Sequence, residues 1–373
     1  MSSRSPISAE PTPDRPPAAG TPLRALFQRR IDGDDALLRL AQLRFAQAGL
    51  AAEVYADTPE QLAWILDFAP SQPYLPVVHL GRRVNLLDRR DRAAVQTFAD
   101  RFAGRVAGLV VHDKKEMATR TDDLVAGISE LTLRPGGPTL FLEYAAGLDL
   151  DWFVGVAGRL RDMPNVGACV DVGHVGIAHA RARFSRAHPG LDLAALRTDD
   201  PRLPGMVDDV QAAVGFALPA VVELIRSLGR AGTPLHLHLH DGHPLIPGLA
   251  DHFSFLTRVP VSFDHQGRRS LDPLYGPAGL AAIVRASQEA SGGRASLTFE
   301  IHQAEGRRPL ADAAELFRHW RDHTNAERMN HWLAVLAENA SIATWALSAD
   351  GQRYGSRAGV ERPAVPSRQE DTT

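Results

Sequence analysis

Residues 233–244 read T-P-L-H-L-H-L-H-D-G-H-P, so that His236, His238 and His240 alternate with leucines and run into Asp241. Strict alternation predicts a β-strand, in which every second side chain points to the same face. Three imidazoles therefore share one side of this strand. Each buried ring nitrogen needs a partner, and imidazole is the commonest metal ligand. Three stacked histidines ending on an aspartate thus point to a metal site. Whether other strands bring further ligands to the same place decides the reading.

Outward from this stretch, short apolar runs alternate with longer amphipathic ones, the pattern of strands joined by helices in a parallel sheet. Upstream, strands are predicted near 23–28, at 51–56, 74–80 and 108–112, at T-L-F-L-E (139–143) and at V-G-A-C-V-D (166–171). Downstream, A-S-L-T-F-E-I-H (295–302) is the eighth. Helices are predicted at 34–48, after Thr58-Pro59, and at 89–105, 122–131, 148–161, 207–228, 277–291 and 310–347. Thr58 before Pro59 is an N-cap followed by proline at the first helical position. Eight such units predict a (β/α)8 TIM barrel as a single domain over 21–347, with disordered tails at 1–20 and 348–373. A doubly wound open sheet competes, but neither G-x-G-x-x-G nor G-x-x-x-x-G-K-[ST] follows any predicted strand.

Composition narrows the function classes. The chain has 373 residues, 44% of them hydrophobic, enough for one large barrel. A formal net charge of −3 gives no field that would gather nucleic acid or an anionic membrane. The single cysteine, Cys169, excludes an internal disulfide and suits a reducing compartment; two residues before Asp171, it is expected to pack into the barrel interior. No uninterrupted apolar run approaches a membrane span, and the Pro- and Ser-rich N-terminus lacks the apolar core of a signal peptide. A cytoplasmic location is the expectation, and the oligomeric state, homo-oligomer included, stays open.

His79, His112, Glu143, Asp171, His238 and Glu300 each stand at or near the C-terminal end of a different predicted strand. In a barrel those ends converge on one mouth, where such folds place their chemistry. All six belong to the residue types that bind divalent metals. His174, in D-V-G-H, and the loop pair Asp251-His252 complete the candidate ligands. Glu53 and His302, near other strand ends, are candidates for the pocket, and His236 and His240 for orienting the ligand between them. Without a cation, gathered carboxylates would repel one another and raise each other's pKa.

These motifs resemble those of the xylose isomerase-like TIM barrels, the superfamily of sugar isomerases and epimerases, inosose dehydratases and endonuclease IV-type nucleases. The resemblance covers residues 50–305. L-E-Y-A-A-G (142–147) is similar to L-E-N-T-x-G, D-V-G-H (171–174) to D-T-x-H, H-L-H-D (238–241) to H-L-[NK]-D, and T-F-E (298–300) to the last strand. The resemblance implies Glu143, Asp171, His238 and Glu300 as metal ligands and His174 as a second ligand or substrate contact. His79 and His112 resemble the extra histidines of the endonuclease IV branch, whose third-metal pair Asp251-His252 could match. That branch separates the pair by one residue, however, and carries an aromatic-aliphatic pair where this chain has Arg82-Arg83. Arginines can hold an anion but do not wedge a base stack. Tyr144 also replaces the family's asparagine.

The resemblance therefore implies a metal-dependent isomerase or epimerase working through an enediolate on a small sugar or sugar phosphate. Glu143 and Glu300 would move the proton, His174 would position a substrate oxygen, and a loop at 175–206 would act as a lid. The alternative is a multinuclear phosphodiesterase of the endonuclease IV type. Histidine and carboxylate ligands suit Mn, Zn, Co or Fe. Nucleic acid and membrane are not expected as partners.

Overall fold

The computed structural model describes residues 21–26, 34–70, 72–196, 200–245, 253–255, 271–300 and 325–348. Eight parallel strands form a closed barrel in sequence order: β1 (Leu23–Leu26), β2 (Ala51–Ala56), β3 (Val77–Leu80), β4 (Gly108–His112), β5 (Thr139–Glu143), β6 (Val166–Asp171), β7 (Leu235–Leu239) and β8 (Ser296–Glu300). Closure comes from β8 pairing with β1, Leu26 standing beside Glu300. The chain is a TIM barrel. Parallel strands demand long crossovers, and the helices between them cover the outer face of the sheet.

The helices are α1 (Asp35–Gln47), α2 (Pro59–Phe68), α3 (Arg89–Arg101), α4 (Thr121–Ser129), α5 (Leu150–Leu160), α6 (Val172–Ala187), α7 (Val207–Val214), α8 (Ala217–Arg230), α9 (Gly276–Ser291) and α10 (Asn325–Leu347). Their starts follow from short polar side chains that satisfy the free N–H groups of a first turn. Asp34 accepts from Leu37 N, Thr58 from Gln61 N, Asp88 from Arg90 N, and Asp149 from Asp151 N and Trp152 N. Between helices and sheet lies the main apolar core, including Val54, Val78, Leu109, Leu140, Leu142, Val170, Leu237 and Leu297.

Inward-facing residues make a second, smaller cluster of Val77, Val110, Phe141 and Cys169. Cys169 is fully buried in this interior packing, as expected from its place before Asp171. Phe141 fits in the interior because Gly108 on β4 and Gly167 on β6 leave room for its ring. A Cβ on Gly108 would lie 2.6 Å from its ring, and one on Gly167 2.8 Å.

Two expectations need correction. The segment after β6 is not a loop over 175–206: α6 starts at Val172, directly after the strand, and runs to Ala187. Apolar positions at Val175, Ile177, Ala180 and Phe184 are buried, which holds this stretch as a packed helix and leaves no free lid over 175–187. The helix predicted at 207–228 is two, separated at Gly215-Phe216. The stretch Leu203–Arg230 has the length and composition of a membrane span, yet the buried face of α8, Ala217, Val221, Leu224, Ile225 and Leu228, belongs to the barrel core. The predicted tail at 1–20, residues 349–373 of the other tail, Asp251-His252 and His302 lie outside the described residues.

Candidate metal centre

The ends of β3 to β8 and the first turn of α6 bring seven predicted ligands into one buried cluster. Adjacent strands set them side by side: His112 pairs in register with Glu143, and Asp171 with His238. His79, Glu143, Asp171, His174, His238 and Glu300 are each at most 6% exposed, and His112 is nearly as enclosed. The donor atoms of His79, Glu143 and His238 lie within 4.8 Å of one another, as do those of Glu143, Asp171 and His174, and those of Asp171, His240 and Glu300.

Hydrogen-bond bookkeeping tests whether these residues fit a cation. His79 Nδ1 stands 3.1 Å from the Leu80 carbonyl oxygen, which can only accept, so Nδ1 carries the proton. In the neutral ring, Nε2 is then a bare lone pair, and it faces Glu143 Oε2 at 3.1 Å. His112 Nε2 approaches the same oxygen at 3.1 Å, and neither approach has hydrogen-bond direction. The same logic applies to His238, whose Nε2 donates to Glu53 Oε1 at 2.9 Å. Its Nδ1 lies 3.4 Å from both Glu143 Oε1 and Glu300 Oε1, without hydrogen-bond geometry to either.

Nitrogen lone pairs aimed at carboxylate oxygens repel unless a proton or a metal ion stands between them. The donor set therefore fits a divalent cation. In the metal-free state protons serve instead. Burial alone would lower His79, but Glu143 raises it; burial likewise opposes the rise at His238, which Cys169, Glu53, Glu300 and Glu143 drive well above the ordinary value. Glu143 is pushed up by burial, but His112, His238 and His79 hold it well below the usual carboxylate range.

Asp171 has two duties. Its Oδ1 accepts from His174 N at 2.8 Å, capping α6, and receives His240 Nε2 at 2.6 Å. His174, in the first turn of that helix, has its Nδ1 at 3.5 Å from Asp171 Oδ2. The close packing of β7 on α6 requires glycine at 173, since a Cβ there would meet His240 Cε1 at 1.8 Å.

The aspartate that ends the histidine strand turns away from the ligands. Asp241 accepts from Gly242 N, Tyr275 N and Gly276 N at 2.8, 3.1 and 2.7 Å, and so ties β7 to the start of α9. Asp113, beside His112, likewise accepts from Ala145 N and Ala146 N and holds the turn after β5. Tyr144, in place of the family's asparagine, is turned into the core, its hydroxyl donating to Leu148 O at 2.6 Å and its ring edge-on to Phe153. Arg82 and Arg83 are exposed in the turn after β3.

Below the ligands lies a polar layer that sequence reading found only in part. Glu53, on β2, accepts from His236 Nε2 at 2.9 Å, His238 Nε2 at 2.9 Å and Thr298 Oγ1 at 2.6 Å. Burial pushes this carboxyl up, but His238 and His236 outweigh it and hold Glu53 well below the usual carboxylate range. Arg24, on β1, donates from Nε to Ser296 Oγ at 2.9 Å and carries the compensating charge. Arg24 has no signal beyond being a polar residue in a short apolar strand, and Thr298 stands out only as part of the T-F-E motif; β1 lies directly beside β2, and barrel closure through β8 brings Thr298 to Glu53.

No protein-family model and no curated protein sequence matches the chain. Solved structures similar to it include xylose isomerase-like TIM barrels. A xylose isomerase-like TIM barrel protein from Mycobacterium smegmatis, in complex with magnesium, is 14% identical over 86% of this chain and 97% of its own, with a TM-score of 0.39. A xylose isomerase domain protein from Planctomyces limnophilus is 14% identical, covering 80% of this chain and 93% of its own, with a TM-score of 0.38. A GH5_18 protein from Bifidobacterium longum subsp. infantis is 10% identical, covering 86% of this chain and 79% of its own, with a TM-score of 0.47.

Proposed function

We propose that the chain is a divalent-metal-dependent enzyme of the sugar isomerase and epimerase type, acting at the mouth of the barrel on a small polyhydroxylated or phosphorylated substrate. The observation that carries this reading is the pair of carboxylates, Glu143 on β5 and Glu300 on β8, that flank His238 Nδ1 at 3.4 Å each. A cation held there would polarise adjacent carbonyl and hydroxyl oxygens of a substrate and make the carbon-bound proton between them more acidic. One carboxylate then takes that proton, leaving the electron pair in the enediolate, and the other returns a proton to carbon. His174, at the opening of α6, positions a substrate oxygen. The buried surroundings keep bulk water from the carbanionic intermediate.

A second reading is favoured by His79 and His112, whose Nε2 atoms both stand 3.1 Å from Glu143 Oε2. A second cation held by His79, His112 and Glu143 would leave Glu143 unavailable to carry a proton. A bridged pair of ions suits phosphodiester hydrolysis instead. The two readings thus differ in the number of ions. Elemental analysis of protein purified without chelator, compared with the His79→Ala/His112→Ala variant, separates them. One ion per chain that the variant keeps, with solvent deuterium entering a ketose or aldose at carbon, is the expected result. Two ions falling to one, with cleavage of a phosphodiester and no carbon exchange, would replace the isomerase with the hydrolase. Protein that takes up no metal even on reconstitution excludes both.

A further inference from the structure

We infer that Glu53 is a positioning residue that fixes the tautomer of His238 and so keeps Nδ1 available as a metal-ligating lone pair. This deepens the metal reading above and rests on it. Glu53 lies on β2, far from β7 in the strand order, and reaches across the barrel interior to His236 and His238 at 2.9 Å each. Glu53 is 2% exposed, and both imidazoles and Thr298 are fully buried, so no water competes for these contacts. An ionised carboxylate can only accept, and both rings must therefore present Nε2–H to it. For His238 this leaves the proton off Nδ1, the atom that looks toward Glu143 and Glu300. The arrangement is a carboxylate–histidine pair of the kind that orients a metal-binding ring and raises its basicity.

The two oxygens of Glu53 are not equivalent, and this makes the inference specific. Oε2 receives two donors, Thr298 Oγ1 at 2.6 Å and His236 Nε2 at 2.9 Å, whereas among the described residues Oε1 receives His238 Nε2 alone. Glutamine at this position has one acceptor oxygen and one NH2 group. Its oxygen belongs where two donors converge, so the NH2 faces His238. An amide that donates to Nε2 forces the ring proton onto Nδ1. Glu53→Gln, almost unchanged in shape, is thus expected to turn His238 and leave His236 as it was.

The test reads the tautomers by two-bond 1H–15N correlation in metal-free, histidine-labelled full-length protein, with His238→Gln to assign the signal. Read at a pH high enough for the His238 ring to be neutral, wild type is expected to show the Nε2–H form, and Glu53→Gln the Nδ1–H form with His236 unaltered. The Zn2+ dissociation constant, by competition with a chromophoric chelator, is expected to rise about 10–100-fold in Glu53→Gln. Thr298→Val leaves the carboxylate and both imidazoles in place and is expected to change neither tautomer. In Glu53→Gln/Thr298→Val the oxygen no longer has a preferred side, and the turned ring is expected to be shared between His236 and His238. A wild-type His238 whose neutral ring keeps its proton on Nδ1 overturns the inference, as does a folded Glu53→Gln variant whose neutral ring keeps the Nε2–H form. Should Glu53→Gln fail to fold, the wild-type spectrum still decides. Wild-type protein that binds no Zn2+ removes the enzymatic reading, while the tautomers of the metal-free chain report on Glu53 independently.

Discussion

At the scale of single residues, the proposed metal centre depends on which ring nitrogen holds a proton. Backbone carbonyls and one buried carboxylate settle it: Leu80 O for His79, and Glu53 for His238. His243, three residues beyond His240, shows the opposite environment. It is fully buried, burial beside Arg181 lowers its pKa from 6.5 to about 3, and the neutral ring accepts from Leu245 N through Nδ1. The folded state therefore binds fewer protons here than the unfolded chain, and the contribution is complete above pH 6.5 and lost as pH falls toward 3. Between pH 7.5 and 5.5 this one group should cost roughly 1 kcal/mol of stability. Urea unfolding of wild type and His243→Gln at the two pH values checks it: the variant should lose less by about that amount, and equal losses would show that His243 titrates normally in the fold.

At the scale of elements, the junction of β6 and α6 joins stability to chemistry through Asp171. The same oxygen that caps the helix at His174 N also contacts His240 Nε2. Asparagine is as good an N-cap as aspartate, whereas alanine gives up about 0.5–2 kcal/mol. Asp171→Asn is accordingly expected to keep the helix cap but lose metal retention, while Asp171→Ala loses both. Thermal unfolding in chelator, set beside metal content after dialysis, distinguishes them. If Asp171→Asn held metal like wild type, the carboxylate charge would not be needed at this position. The same junction explains why a lid was the wrong expectation for 175–187: D-V-G-H opens a helix directly, and the apolar face behind it packs the segment onto the barrel.

At the scale of the whole molecule, barrel closure gathers acidic charge inside a low-dielectric space. Arg24 lies in the same interior as Glu53 and balances it, whereas Glu143, Asp171 and Glu300 gather beside the imidazoles of His79, His174, His238 and His240. On the proposed reading such a centre would bind a cation in the folded state only, because the unfolded chain does not hold these ligands together. Mn2+, Zn2+, Co2+ or Fe2+ should raise the melting temperature in a saturable way. At 100 times the dissociation constant the gain is about 2.7 kcal/mol, reversed by chelator. A melting temperature indifferent to all four ions would mean that protons alone suffice to balance the cluster.

The sequence by itself determined the barrel, because a parallel sheet covered on its outer face writes continuous apolar runs between amphipathic helices, a local signal that survives without any partner. It also determined the candidate ligands, since His79, His112, Glu143, Asp171, His238 and Glu300 each follow such a run and a closed barrel has one place to put strand ends. Local sequence could not show that Asp241 anchors α9, because an aspartate after a strand reads the same whether it faces a cation or three backbone N–H groups. Nor could it assign Glu53, Thr298 and Arg24 to one network, as they are separated by up to 274 residues between Arg24 and Thr298. Only tertiary structure decides such contacts: the acceptor on β2 and the donors on β7 and β8 meet through the barrel interior, and hydrogen-bond direction across that space then fixes each imidazole's proton.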